Sequence, residues 1–595
     1  MDLRFTVSLA TIAAVALAQG CGSDEKAALD ATDTNTADAA EVQDIALDYA
    51  SDPGIGKPDQ AGIELPTDPG YTDPGVTDQG KADDIAGDNG QEDAASQDTG
   101  PKPPECADPA PFDEDGPYGL TQYEKAADFT LPVLGGEWNF KDHWGCDSFI
   151  FVQYAKGYEY SEGLWTSNPK WLLDVSPKNV HYFFLSFEST AKSDVMAMRD
   201  SVEAALAKMS PEDAAHWKDH IHYVPVRAGD LEGWVGDVLR KQGMFAFSID
   251  RFQRMRETGG LVNIAAINSS PQLYHLENEA LQFNFEWDRE QAMKAEDATV
   301  LTVFDKAATK GGDNKVDVEF PDAGTMAGFD SLDVDLFMDC KDYDTCPWDY
   351  IAALYLCDKD DPDKCGTEIA RWITTYGRDG RWVTDISQVL AYLQDGGTRR
   401  LRFDSSSQGY TTTLKLRLVN RGKGMRPVAI QPLFSGNNAF NLDYNGKFQP
   451  FQFDSPEGVK KVEIFGWITG HGFGNDKANC AEFCNHTHHF KVNDGQEYVK
   501  EHPMAGTLNG CKDQVVDGVI PNQHGTWSLG RGGWCPGFDV KPFVADITQS
   551  LISGNPQTIT YRALFQGKDY DPQPVSDPNG FGANIHLNTF LVFWE

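Results

Sequence analysis

Two acidic residues in the second half of the chain stand inside or against tight cysteine frames: Cys346-Pro347-Trp348-Asp349 and Cys480-Ala481-Glu482-Phe483-Cys484. A carboxylate displayed to water needs no covalent staple. One that must meet a substrate at a fixed position does, because a displacement of about 1 Å can cost on the order of a hundredfold in rate. The pair reads as an acid/base site for hydrolysis, with carboxylates to activate water and to move protons.

The frames belong to a wider cysteine pattern. The chain has eleven cysteines, and in an exported protein that number points to disulfides. Without Cys21 an even ten remain, which pair by proximity as Cys106/Cys146, Cys340/Cys346, Cys357/Cys365 and Cys480/Cys484, leaving Cys511/Cys535. Zinc held by Cys480 and Cys484 with His486, His488 and His489 is the rival reading. Their separation fits common zinc knuckles poorly and an oxidising compartment favours the disulfide, so no metal and no cofactor is expected. His486 and His488 share one strand face and are expected as a polar surface patch.

The elements that must carry these frames are strands. From about residue 299 alternation dominates, as in Lys315–Phe320, Leu332–Leu336, Leu414–Leu418 and Val462–Phe465, with apolar groups on one face only. Antiparallel sheets with one wet face read this way. Some 300 residues of short strands and Gly/Pro turns predict two packed β-sandwiches, over 298–425 and 430–595.

Upstream, residues 106–290 alternate strand-like and helix-like segments. Ser148–Tyr154 and Val180–Phe187 read as buried strands, Asp194–Met209 as an amphipathic helix, and Ser210 as the start of another. This predicts an α/β module. Its opening, Ala127-Asp128-Phe129-Thr130-Leu131-Pro132 then Gly135-Gly136-Glu137-Trp138, resembles a thioredoxin-like or peroxiredoxin-like domain, as does Phe247–Phe252. Where that resemblance would set a redox cysteine, after Tyr154, the chain reads Ala155–Tyr160 with no thiol. A redox-dead scaffold or interaction module is expected.

Residues 1–20 have one early Arg4 and an apolar run from Phe5 to Leu17, too short to span a bilayer; they read as a secretory signal. Ala18-Gln19-Gly20-Cys21 resembles a bacterial lipobox, which implies cleavage before Cys21 and acylation of its thiol. Residues 22–105 carry about twenty acids against four lysines and no arginine, the composition of a solvated, self-repelling tether. Asp-Pro-Gly units at Asp52, Asp68 and Asp73 favour turns. The net charge of -41 argues against nucleic acid and against docking on an anionic leaflet. A lipid is the only membrane anchor expected, with a cell-envelope location, the outer membrane by the usual sorting tendency, or secretion, and a monomeric state.

Residues 298–595 resemble the peptide-N-glycosidase F family, bacterial amidases that strip N-glycans from glycoproteins. The resemblance rests on Thr302–Lys306, Cys340 through Asp349, Glu368–Tyr376, Gly466-Trp467 with His471, Cys480–Cys484 and Gly530–Gly537, in that order. It implies two eight-stranded jelly rolls with a substrate cleft along their interface and disulfides Cys340–Cys346, Cys480–Cys484 and Cys511–Cys535. Cys357–Cys365 is then an extra local staple.

The resemblance also implies hydrolysis of the Asn–N-acetylglucosamine amide of N-glycoproteins or glycopeptides without a metal. Asp349 matches the principal catalytic acid and Glu482 the second, while Arg531 matches an arginine on the chitobiose core. Trp534, Trp467 and Trp348 are candidate sugar platforms, and His471 a cleft histidine. Two departures stand out. A further family glutamate falls at Ser405 or Ser406, with Asp404 the nearest carboxylate. Tyr350 replaces a sugar-binding arginine, offering a hydroxyl and a ring but no charge. A catalytically inactive glycan-binding protein using the same cleft is the competing expectation. Copper monooxygenases share a similar double jelly roll but need His and Met ligands across both sandwiches; His486 and His488 fit part of one such site, and the first sandwich offers no second histidine pair.

Overall fold

The computed structural model describes residues 111–262, 271–341, 345–552, 556–575 and 580–595. The stretch read as a secretory signal, Cys21, the stretch read as an acidic tether, and Cys106 lie outside the described residues. None of the described helices is long and apolar enough to cross a membrane.

The first module is built on five strands in the spatial order Ile221–Arg227, Val180–Ser186, Ser148–Tyr154, Ala246–Ile249, Met255–Glu257. The first three pair in parallel, and Ala246–Ile249 pairs antiparallel with both of its neighbours. The central strands are buried along nearly their whole length, as a sheet with both faces covered requires. Their alternating side chains feed two cores: Phe149, Phe151 and Phe183 on one face, Ile150, Val152, Tyr182 and Phe184 on the other. The amphipathic stretch expected over Asp194–Met209 is the helix Ala191–Leu206. Ser210 caps the next helix, Pro211–His220, by accepting from the Asp213 amide. Both helices therefore lie within a turn of the expected bounds.

Among the described residues, two sets of eight strands follow, with one further short strand lying in sequence within the second. The first set is Ala298–Lys310, Asn314–Phe320, Ser331–Asp339, Ile351–Leu356, Thr367–Ile373, Gly380–Asp385, Gly397–Asp404 and Gly409–Val419. The second is Pro427–Ala439, Phe451–Phe453, Lys461–Phe473, His486–Val492, Glu497–Lys500, Phe543–Asp546, Gln557–Phe565 and Phe581–Trp594. Numbered within its own set, each sandwich has one sheet in the order first, eighth, third, sixth and one in the order second, seventh, fourth, fifth. That is the strand order of a jelly roll, and every pairing in these sheets is antiparallel.

The sandwiches are stitched together. A short strand, Phe538–Asp539, leaves the second and extends a sheet of the first beside Trp372 and Ile373. One core cluster includes Trp372, Leu354 and Leu401 of the first sandwich with Phe465, Trp467 and Phe590 of the second. The terminal helix of the α/β module, Leu276–Ala295, is bolted to both. Its Glu279 pairs with Arg378 at 2.9 Å and accepts from Asn522 at 2.9 Å, and its Glu277 pairs with Lys512 at 2.6 Å.

Disulfides Cys340–Cys346, Cys357–Cys365, Cys480–Cys484 and Cys511–Cys535 are present as expected. Cys146 is also disulfide-bonded.

Candidate functional site

Asp349 sits in the loop between strands Ser331–Asp339 and Ile351–Leu356, closed at its base by Cys340–Cys346. The loop is then pinned on both sides of the acid. Gln408 receives the Trp348 amide and donates to the Trp348 carbonyl, each at 2.7 Å. The Thr374 hydroxyl donates to the same carbonyl at 2.7 Å and accepts from the Tyr350 amide at 2.8 Å. The peptide groups flanking Asp349 therefore have no freedom to swing. Burial raises its carboxyl from 3.8 to about 6, against the lowering pull of Arg531 and a hydrogen bond from Tyr376. A buried carboxyl poised near neutrality can take and return a proton during a reaction.

Glu482 lies between strands Lys461–Phe473 and His486–Val492, inside the Cys480–Cys484 loop. Its carboxylate accepts from the Gly472 amide at 3.3 Å and its own amide donates to the Gly472 carbonyl at 3.3 Å. Gly472 has φ of +107°, and a Cβ there would strike the Gly582 carbonyl oxygen at 2.5 Å. Only glycine meets the acid in this way.

Arg531 joins the two loops. Its Nε donates to Glu482 Oε1 at 3.3 Å, and a terminal nitrogen stands 3.8 Å from Asp349 Oδ2. The same guanidinium donates to the Leu529 carbonyl at 2.6 Å, the Thr526 carbonyl at 3.1 Å and the Thr526 hydroxyl at 2.8 Å. It is buried. The guanidinium matched to an arginine on the chitobiose core is thus turned inward: it reaches both acids, and the carbonyls of residues 526 and 529 fix it.

The remaining candidates divide. Trp348 and Tyr350 are half-buried beside Asp349. Trp534 is buried, stacks on His471 with centroids 5.1 Å apart, and donates its indole N–H to the Gly470 carbonyl at 2.8 Å. His471 is half-buried and meets the Thr469 hydroxyl at 2.9 Å. Burial and nearby positive groups hold its ring well below the usual histidine range, and therefore neutral. Trp467 does not fit a sugar platform. It is fully buried against Phe465, centroids 5.0 Å apart, in the core shared by the two sandwiches.

His486 and His488 do share a strand face, but that face points inward and both rings are fully buried rather than forming a surface patch. Ser405 is fully buried and Asp404 receives the Ser406 amide at 3.0 Å, with Arg402 3.8 Å away. A buried ion pair beside the site went unseen in the sequence. Arg371 grips Glu368 at 2.6 and 3.0 Å and reaches across to the Thr469 hydroxyl at 2.8 Å and the His586 carbonyl at 3.0 Å. Tyr376 and Gln408 were likewise not singled out, though Tyr376 closes the quoted Glu368–Tyr376 segment.

The family described as peptide-N-glycosidase F, C terminal, matches residues 440–592, the sandwich that carries Glu482 and Arg531. Over this region the chain is similar to the C-terminal domain of the peptide-N-glycosidase F family. A curated relative, the peptide-N(4)-(N-acetyl-beta-D-glucosaminyl)asparagine amidase F of Elizabethkingia miricola, is 30% identical over 106 residues, 18% of this chain. The match spans only 27% of that relative's length. Among solved structures, a recombinant N-glycanase F is similar at 21% identity over 50% of this chain and 96% of that one, with a TM-score of 0.39. The glycosylasparaginase PNGase F from Flavobacterium meningosepticum is similar at 19% identity over 50% and 96%, with the same TM-score of 0.39.

Proposed function

We propose that the protein hydrolyses the amide between asparagine and N-acetylglucosamine in N-glycoproteins or glycopeptides. The observation that carries this reading is the meeting of Asp349 and Glu482 on a single buried guanidinium, 3.8 and 3.3 Å away. Two acids from different sandwiches are brought to one point, the arrangement a cleft amidase needs. The similarity of residues 440–592 to the C-terminal domain of peptide-N-glycosidase F supports the same chemistry.

In this mechanism Asp349 starts ionised and takes a proton from the attacking water. The new C–O bond forms at the side-chain carbonyl, the C–N bond breaks, and Asp349 returns the proton to the departing nitrogen. The peptide keeps an aspartate; the sugar leaves as a glycosylamine, which later loses ammonia. Glu482, held by Arg531 and the Gly472 amide, orients water and sugar. Trp348 and Tyr350, flanking Asp349, take the apolar face of the first sugar.

We further propose an exported protein anchored through acyl-Cys21, and a thioredoxin-like module that serves as scaffold rather than redox catalyst. The order of its strands and the Glu279–Arg378 bridge at 2.9 Å support that role. If Cys21 carries the anchor, Cys21→Ala moves the protein from the membrane fraction to the soluble one.

The test of the activity is incubation of the purified protein with a denatured N-glycoprotein, followed by peptide mass spectrometry. Aspartate in place of the formerly glycosylated asparagine is the expected product. Intact glycopeptide retained by the protein would instead mark a glycan-binding protein and end the amidase reading.

A further inference from the structure

Behind Glu482 lies a group of side chains that the proposed hydrolysis does not use. His486, His488 and His502 come from the strand His486–Val492 and the segment after Glu497–Lys500. Each offers one ligand atom, and the three atoms lie within 4.8 Å of one another. The ring centroids are 4.6 to 5.2 Å apart. Relative exposure is 0%, 0% and 4%. All three Nε2 atoms lack a hydrogen-bond partner among the described residues.

A neutral imidazole carries one N–H and one lone pair, and a buried polar atom ordinarily finds a partner. The tautomer is legible at His486. Its Nδ1 faces the Cys484 carbonyl at 3.2 Å, which can only accept, so Nδ1 carries the proton and Nε2 presents its lone pair. His488 Nδ1 meets the Tyr561 hydroxyl at 2.8 Å, which in turn meets the Tyr444 hydroxyl at 3.0 Å. A ring nitrogen so engaged is what orients a metal-binding histidine. Three buried imidazoles, each with a ligand atom within 4.8 Å of the others and an Nε2 without a partner among the described residues, suit a cation.

The surrounding backbone keeps the space open. A Cβ on Gly470 would meet the His486 Cε1 at 2.5 Å, one on Gly532 the same atom at 2.8 Å, and one on Gly533 the His502 Cε1 at 2.7 Å. Gly533 also has φ of +90°. These glycines flank the residues of the candidate site. The Gly532 amide donates to the Glu482 carbonyl at 2.6 Å, and the Gly470 amide to the Gly532 carbonyl at 2.7 Å. The cysteines beside the cluster are locked in a disulfide, so the donor set is nitrogen alone.

We propose that His486, His488 and His502 bind one late first-row transition-metal ion, zinc or copper, through their Nε2 atoms, directly behind the backbone that holds Glu482 and Arg531. Three neutral imidazoles select such an ion over magnesium or calcium, which prefer oxygen. A trigonal set leaves one coordination position open. The ion braces the Ala481–Cys484 loop and the glycine strap, a positioning role independent of whether the cleft hydrolyses glycans.

The experiment strips the full-length protein with a chelator, dialyses it against Zn²⁺ or Cu²⁺ alone, and measures bound metal and its X-ray absorption. Uptake of about one equivalent with nitrogen neighbours at about 2.0 Å is expected, falling by at least about tenfold in His488→Ala and unchanged in Asp349→Asn. If His488→Ala does not fold, absorption of the loaded parent still decides by its ligand count. Folded, stripped parent that takes up no metal, or that takes it up through oxygen ligands, overturns the proposal. Metal uptake without glycan hydrolysis leaves this site standing and removes only the amidase reading.

Discussion

Asp349 and Glu482 each stand beside a short disulfide loop, yet the chain anchors them by opposite means. At Asp349 the backbone is fixed: Gln408 and Thr374 hold the peptide groups on either side, while the carboxyl is buried and its pKa raised to about 6. At Glu482 the carboxylate itself is fixed, by the Gly472 amide and the Arg531 guanidinium, and the loop rests on a histidine cluster. A disulfide shortens a loop's excursions without aiming its side chain. The aim comes from the second layer, and the two second layers suit different work: one acid with its pKa raised by burial to exchange a proton, the other held by a backbone amide and the guanidinium.

The largest test of that division is Asp349→Asn. Turnover of a glycopeptide should fall by about 10³-fold or more, the scale of a lost proton carrier. Stability should move the other way. Because Asp349 binds its proton more tightly folded (about 6) than unfolded (3.8), the folded state loses stability as pH rises between those values, by roughly 3 kcal/mol at 1.36 kcal/mol per unit. Asparagine removes that penalty, so urea melts should show the variant more stable than the parent at pH 8 and equal to it near pH 4. Equal stability at both pH values would mean that the carboxyl is not buried.

Glu482→Gln keeps the shape and an acceptor for Arg531 but removes the charge. A smaller loss, about 10²-fold in kcat, is expected, with KM on a glycopeptide as the companion readout. A loss greater than that of Asp349→Asn would reverse the assignment of roles. Smaller again is Gln408→Ala, which leaves the Trp348 amide unpaired. It should cost about 1–3 kcal/mol in urea melts and about tenfold in rate through a loosened Asp349 loop.

The sequence made the acids visible because cysteine spacing and residue type are local. Alternation likewise marked the strands of both sandwiches and the buried strands Ser148–Tyr154 and Val180–Ser186. What it could not reveal was which faces other parts of the chain cover. Trp467 sits on Lys461–Phe473, a strand buried on both sides because the first sandwich packs against one of them. His486 and His488 were correctly put on one face, but nothing local says that this face is the core. The Glu368–Arg371 pair was hidden for another reason. Residues three apart on a regular strand point to opposite faces. Here the pairing passes from Leu354↔Ala370 to Tyr355↔Glu368, so Ile369 is an extra, bulged residue. The bulge turns both charged side chains to one side.

The most direct measurement is kcat/KM against pH on one glycopeptide, for the parent and for Tyr376→Phe. An acid limb with its midpoint at about pH 6 is expected for the parent, activity falling as Asp349 protonates. Tyr376 lowers that carboxyl by its hydrogen bond, so its loss should move the limb to higher pH. A midpoint at the ordinary carboxylate range, or a limb that stays in place in the variant, would contradict a buried Asp349 as the proton carrier.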